Sequence, residues 1–119
     1  MLDLTPERIR EVCGAALLAG GPSRMRPDDM PRRAVADSRQ VKSGDLFVGI
    51  RGERADGGEF AEAAIEAGAW GVLVRPEHGL RVAGLAGGRV RVLAVDEPLQ
   101  ALGRLARAWV DRLDRKSVV

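Results

Sequence analysis

Asp37-Ser38-Arg39-Gln40-Val41-Lys42-Ser43-Gly44-Asp45-Leu46-Phe47-Val48-Gly49-Ile50-Arg51-Gly52-Glu53-Arg54-Ala55-Asp56-Gly57 sets one short apolar strand between two polar, glycine-punctuated loops. A turn at Lys42-Ser43-Gly44 leads into a strand from Asp45 to Ile50, in which Leu46, Phe47, Val48 and Ile50 form a nearly continuous apolar run. Such a run is expected to be buried on both faces, as in a sheet covered by helices. The flanking loops suit a small anionic ligand. Ser38 offers a hydroxyl at a strand end, Arg39 and Arg54 offer guanidinium forks, and Gly52 and Gly57 permit close backbone approach. One charge-assisted bond from such an arginine to a phosphate contributes about 1.5 to 3 kcal/mol. Each residue also has a plainer use: Ser38 can cap a turn, Arg39 can pair with Asp37 or Asp45, and the glycines can simply make turns.

Downstream of the second loop, Phe60, Ala63, Ala64 and Ala67 share one face of a short helix that should stop at Gly68, followed by a strand from Trp70 to Val74. Strand, helix and strand make a βαβ unit, whose two strands run parallel with a right-handed crossover. In open α/β sheets ligands bind beyond the carboxyl ends of the strands, where the glycine loop then lies. Upstream, Pro22 to Arg33 read as a loop entering a short strand at Ala34-Val35-Ala36. Before it, Thr5 and Pro6 start a helix in which Ile9, Val12, Cys13, Ala16 and Leu17 recur at helical spacing until Gly20-Gly21-Pro22.

Toward the carboxyl end, Arg75 to Arg89 read as a polar connection holding His78 as an exposed loop residue, and Val90 to Val95 as a strand. Asp96-Glu97-Pro98 then opens a final helix with a stripe of Leu99, Leu102, Ala106, Trp109 and Leu113. Arg115-Lys116-Ser117 is expected to break it, and Val118-Val119 begins another strand.

The 119 residues suffice for one α/β domain, with no boundary visible between residues 1 and 119. A single cysteine, Cys13, excludes an internal disulfide, and its place on an apolar face marks it as a core residue. No leader or long apolar stretch suggests secretion or a membrane span, which leads to the expectation of a cytoplasmic protein. The formal charge of +2 comes from arginines scattered along the chain. Without a basic stripe and interleaved aromatics, nucleic acid is not an expected partner. The sequence has no ATP-binding Gly-x-x-x-x-Gly-Lys-Ser/Thr loop, no nucleophile with a base, and no metal-ligand spacing around His78. Catalytic residues, a metal and a cofactor are therefore not expected within this chain.

Asp37-Ser38-Arg39, Lys42-Ser43-Gly44-Asp45, Leu46-Phe47-Val48 and Gly52-Glu53-Arg54-Ala55-Asp56-Gly57 resemble, in order and spacing, the N-terminal domain shared by MurE and MurF, two Mur ligases of bacterial cell-wall synthesis. Leu4-Thr5 through Ile9, Cys13-Gly14, and Val95-Asp96-Glu97-Pro98-Leu99-Gln100-Ala101-Leu102-Gly103-Arg104-Leu105-Ala106 lean toward the MurF type. The resemblance implies a mixed, mainly parallel sheet flanked by helices. It implies a domain that holds the uridine diphosphate end of a UDP-N-acetylmuramoyl peptide, with ATP and magnesium bound by a central domain and the incoming amino acid or dipeptide by a third. Carried over by position, contacts would come from Ala36 and Ser38 on the first loop and from Glu53, Arg54 and Ala55 on the second, shaped by Gly52, Asp56 and Gly57, with Arg39 a further expected contact to the UDP moiety.

The chain departs from the family's pattern in two places. Many relatives have histidine after the Asp-Gly pair, where this chain has Gly58. Relatives also continue from a Val-Val-like strand into the ATP loop, whereas this sequence ends at Val119, as expected of an excised first domain or a truncated product. A MurE-type domain and a stand-alone phosphate-ligand or protein-binding module are the competing expectations.

Overall fold

The computed structural model describes residues 6–19, 31–50, 57–84 and 90–117. Its elements are α1 (Pro6–Cys13), β1 (Ala16–Ala19), β2 (Arg33–Val35), a 3-10 turn (Ser38–Gln40), β3 (Asp45–Val48), a second 3-10 turn (Gly57–Phe60), α2 (Ala61–Glu66), β4 (Gly71–Val74), α3 (Pro76–Ala83), β5 (Arg91–Ala94) and α4 (Pro98–Ser117). The five strands form one sheet in the order β1-β5-β4-β3-β2. β2 through β5 pair in parallel, and β1 lies antiparallel to β5, so the sheet is mixed and mainly parallel.

Alternate residues of the central strands point to opposite faces, and each face carries its own core. Leu46, Val48, Leu73 and Leu93 pack on one side with Ile9 and Cys13 of α1 and Ala101 and Leu105 of α4. Phe47, Val72, Val74 and Val92 pack on the other with Ala61 and Ala64 of α2 and Val82 of α3. All four residues of β3 and of β4 are buried, which fits the continuous apolar reading of the first. Removing the largest of these side chains from water contributes roughly 1.5 to 3 kcal/mol each.

The first helix is shorter than its apolar spacing predicts. Gly14 has φ +66°, its N–H donates to Glu11 O at 3.3 Å, and Ala15 N–H donates to Arg10 O at 2.9 Å. This is a Schellman cap, and it satisfies the last carbonyls of α1 at Cys13. Ala16 and Leu17 consequently belong to β1, a strand where the periodicity predicts helix. The same pair of bonds ends α2 at Gly68, as expected.

α3 occupies the segment read as a connection. Pro76 in its first turn, Glu77 beside it and Arg81 in its last turn are ordinary helix signals, masked in the sequence by Gly79 and Gly84. Gly79 is needed for packing: a Cβ there would stand 2.9 Å from Leu18 Cδ1.

The faces of α2 and α4 are each shifted from the expected stripe. α2 buries Ala61 and Ala64, while Phe60 precedes it and is 47% exposed, and Ala63 and Ala67 face solvent. α4 buries Ala101 and Leu105 and leaves Leu99 61% exposed. Small Ala101 lets α4 approach α1 closely enough for the Cys13 thiol to contact Ala101 O at 3.7 Å. Burial pushes the Cys13 pKa up to about 11, against the opposing charge of Arg104. α4 continues through Arg115-Lys116-Ser117 without the expected break. The side chains of Trp109 and Leu113 and the strand expected at Val118-Val119 lie outside the described residues.

Candidate functional site

β2, β3 and β4 run parallel, so their carboxyl ends at Ala36, Gly49 and Arg75 open onto one edge of the sheet. The first candidate loop begins there. Asp37 caps the 3-10 turn, with Oδ1 accepting from Arg39 N–H at 2.9 Å. Arg39 Nε donates to Asp37 Oδ1 at 3.1 Å and Nη2 to Oδ2 at 3.0 Å. This two-pronged contact fixes the fork geometry of a guanidinium on a carboxylate. The side-chain hydrogen bond from Arg39, the largest influence, holds the Asp37 carboxyl below the usual carboxylate range.

Arg39 therefore braces the turn while its side chain stays 88% exposed. Asp45, the other partner open to it in the sequence, is taken. Asp45 is fully buried at the amino end of β3, where Oδ2 accepts from Arg33 Nε at 3.0 Å and from Lys42 N–H at 2.8 Å. Arg33 also donates from Nη2 to Gln40 O at 2.9 Å, tying the amino edge to the end of the Ser38 turn.

Ser38 stands half-buried in the turn, and Ala36 is exposed beside it. The Ser38 hydroxyl is able both to donate and to accept a hydrogen bond. The structure thus brings Ala36, Ser38 and Arg39 together at one strand end. Gly52, Glu53, Arg54, Ala55 and Asp56 lie outside the described residues.

The described chain on either side of that segment is closely packed. A Cβ on Gly49 would lie 2.8 Å from the Cα and N of Gly58, so the backbone leaving β3 touches the backbone returning toward α2. Over Gly58 sits the imidazole of His78, a helical residue of α3 and not the loop residue its sequence context suggests. Arg81, one turn further along α3, donates from Nη2 to Gly58 O at 3.3 Å and pairs through Nη1 with Glu62 of α2. Neither residue stands out in the sequence, because the helix that carries them is hidden there.

An open, largely apolar cleft of about 360 Å³ occupies the other end of the same edge, lined by Gly14, Ala16, Leu18, Pro76, Leu80 and Asp96 among others. The strand order separates it from Ser38, which follows β2 at the far side of the sheet. Among the described residues no three His, Cys, Asp or Glu side chains gather as a metal site, and no described helix is long and apolar enough to cross a membrane.

Residues 35–110 match the family profile described as "Mur ligase family, catalytic domain". The UDP-N-acetylmuramoyl-tripeptide--D-alanyl-D-alanine ligase of Mycobacterium leprae is 35% identical across 91% of this chain and 23% of its own length. The UDP-N-acetylmuramoyl-L-alanyl-D-glutamate--2,6-diaminopimelate ligase of Gloeobacter violaceus is 41% identical across 67% of this chain and 15% of its own. Among solved structures, a UDP-N-acetylmuramoylalanyl-D-glutamyl-2,6-diaminopimelate--D-alanyl-D-alanyl ligase from Acinetobacter baumannii superposes with a TM-score of 0.65 over 87% of this chain and 21% of its own, at 23% identity. A MurF ligase from Thermotoga maritima, solved in complex with ADP, gives a TM-score of 0.52 over 70% of this chain and 17% of its own, at 30% identity. The chain thus spans less than a quarter of the length of these relatives.

Proposed function

The chain belongs to the Mur ligase family, whose profile covers residues 35–110, and we propose that residues 1–119 are the UDP-substrate-binding N-terminal domain of a MurF-type ligase. The single observation that carries this reading is the braced Asp37-Ser38-Arg39 turn at the carboxyl end of β2. It presents a half-buried hydroxyl and an exposed guanidinium beside β3, the strand that precedes Gly52–Asp56 in the sequence. That edge is where α/β sheets receive ligands, and the chemistry offered there suits a diphosphate.

In this role the domain performs no bond-making itself. Ser38 hydrogen-bonds the nucleotide, Arg39 supplies positive charge from a turn that Asp37 holds in place, and Ala36 leaves room for the ligand's approach. Glu53, Arg54 and Ala55 read the uridine from the second loop, shaped by Gly52 and Asp56. ATP and magnesium would be bound by a central domain of the parent enzyme, and the incoming dipeptide by a carboxyl-terminal one. The residues described here would anchor the nucleotide end while the peptide carboxylate is activated elsewhere. The parent enzyme would act in the cytoplasm, where nucleotide-linked precursors are made.

The MurF type is supported by the length of the match: similarity to the Mycobacterium leprae ligase takes in 91% of the chain, against 67% for the diaminopimelate ligase of Gloeobacter violaceus. The higher identity of the latter, 41%, favours a MurE-type parent as the second reading. A ligase assay on the parent protein, offering D-alanyl-D-alanine or diaminopimelate to the matching UDP-linked peptide, separates the two.

For the domain itself, calorimetric titration with UDP-N-acetylmuramoyl tripeptide is the test. Ser38→Ala should weaken binding roughly five- to tenfold, the value of one net hydrogen bond. Unchanged affinity would remove Ser38 from the site, and absence of binding by the unsubstituted chain would favour a module of another kind.

A further inference from the structure

Position 58 and position 78 compete for one volume. A Cβ built on Gly58 would stand 2.4 Å from His78 Cδ2 and 2.7 Å from His78 Cγ, closer than any real Cβ contact, and both atoms belong to a rigid ring. Gly58 is itself buried, and its neighbour across the sheet edge, Gly49, leaves no slack: a Cβ there would meet Gly58 N and Cα at 2.8 Å and Val74 Cγ1 at 3.0 Å. The backbone at Gly58 is therefore sandwiched between the end of β3 and the imidazole of α3.

The ring is in turn held from behind. Arg81 Nη2 lies 3.4 Å from His78 Nδ1 and 3.3 Å from Gly58 O, while Nη1 pairs with Glu62. A guanidinium only donates, so a hydrogen bond between the two uses the lone pair of Nδ1. One cation thus touches the ring, the backbone it covers and the first turn of α2.

We propose that His78, held by Arg81, is a positioning residue of the ligand site at the carboxyl edge: its ring, supplied from α3, takes the place of a side chain at position 58 and fixes the backbone there against β3. The proposal rests on the nucleotide-binding reading, and Gly58 meets the candidate edge where it packs on Gly49, just beyond the carboxyl end of β3. It explains why glycine stands at 58, and it assigns work to a helix that the sequence conceals.

The test uses the 119-residue chain with UDP as the probe, reading the dissociation constant and the thermal midpoint of Gly58→Ala, His78→Ala, His78→Asn and the Gly58→Ala/His78→Ala double variant. Gly58→Ala should lower the midpoint, and the double variant should regain most of that loss because the ring no longer occupies the space of the new methyl. His78→Ala should weaken UDP binding by about fivefold or more, the scale of one lost positioning contact. His78→Asn, whose Oδ1 can accept from Arg81 as Nδ1 does, should stay within about threefold of the unsubstituted chain.

Additive midpoint losses in the double variant would overturn the shared-volume argument. A His78→Ala chain that is less stable but binds UDP normally would reduce His78 to a packing residue and overturn the positioning role. If the unsubstituted chain does not bind UDP, the nucleotide reading fails and the positioning role with it, while the midpoints still decide whether residues 58 and 78 exclude one another.

Discussion

Asp45 shows how one residue can look functional in sequence and prove structural in space. It sits in the same polar cluster as Asp37 and Arg39, yet it is fully buried at the opposite edge of the sheet, holding Arg33 and the Lys42 N–H. Burial alone would raise its pKa, but the hydrogen bonds from Arg33 and Lys42, with the charges of Arg33 and Arg32, bring it below the ordinary value. A carboxyl whose folded-state pKa is depressed stabilises the fold at pH above its unfolded value of about 3.9 and loses that contribution as pH falls through the lower folded value. Asp45→Asn should therefore cost about 1 to 3 kcal/mol at pH 7. In urea titrations at pH 7 and pH 3, the gap between variant and parent should be narrower at pH 3 than at pH 7. A pH-independent gap would mean that the carboxylate's charge is immaterial.

At the scale of elements, what could be read from the sequence tracks how many independent signals each segment carries. β3 combines a continuous apolar run with turn residues on both sides, and the structure places it within two residues of the expected span. β4 and β5 follow from similar runs. α1 and β1 were not separable by periodicity, because Ala16 and Leu17 satisfy a helical stripe as well as a short strand; the deciding feature was Gly14 inside the stripe. Gly14→Ala should consequently destabilise the chain by about 1 to 2 kcal/mol, the strain of a left-handed alanine, measurable as a lower urea midpoint with unchanged slope. A neutral result would show that α1 can end without its cap. α3 was hidden because two glycines outweighed its proline start, and the stripes of α2 and α4 were displaced because small alanines, not the larger Phe60 and Leu99, were chosen for close packing.

Across the whole molecule, a five-stranded sheet with helices on both faces gathers the carboxyl ends of β2, β3 and β4 on one edge. The placement of Ala36, Ser38 and Arg39 at a strand end was legible, with Ser38 and Arg39 in the 3-10 turn that follows β2. What the sequence could not supply was the neighbourhood: that Arg39 is engaged by Asp37, and that α3 sends His78 and Arg81 to Gly58. These are contacts between residues far apart in the chain, set by sheet order and helix packing that local patterns do not encode. In the proposed function this edge binds a uridine diphosphate ligand. Amide chemical shifts followed by NMR as UDP, and separately ATP, is added to the isolated chain test it most directly. Shifts at Ser38, Arg39 and Gly58 with UDP and none with ATP are the predicted result; equal shifts with both nucleotides, or shifts confined to the cleft at Leu18 and Leu80, would contradict it.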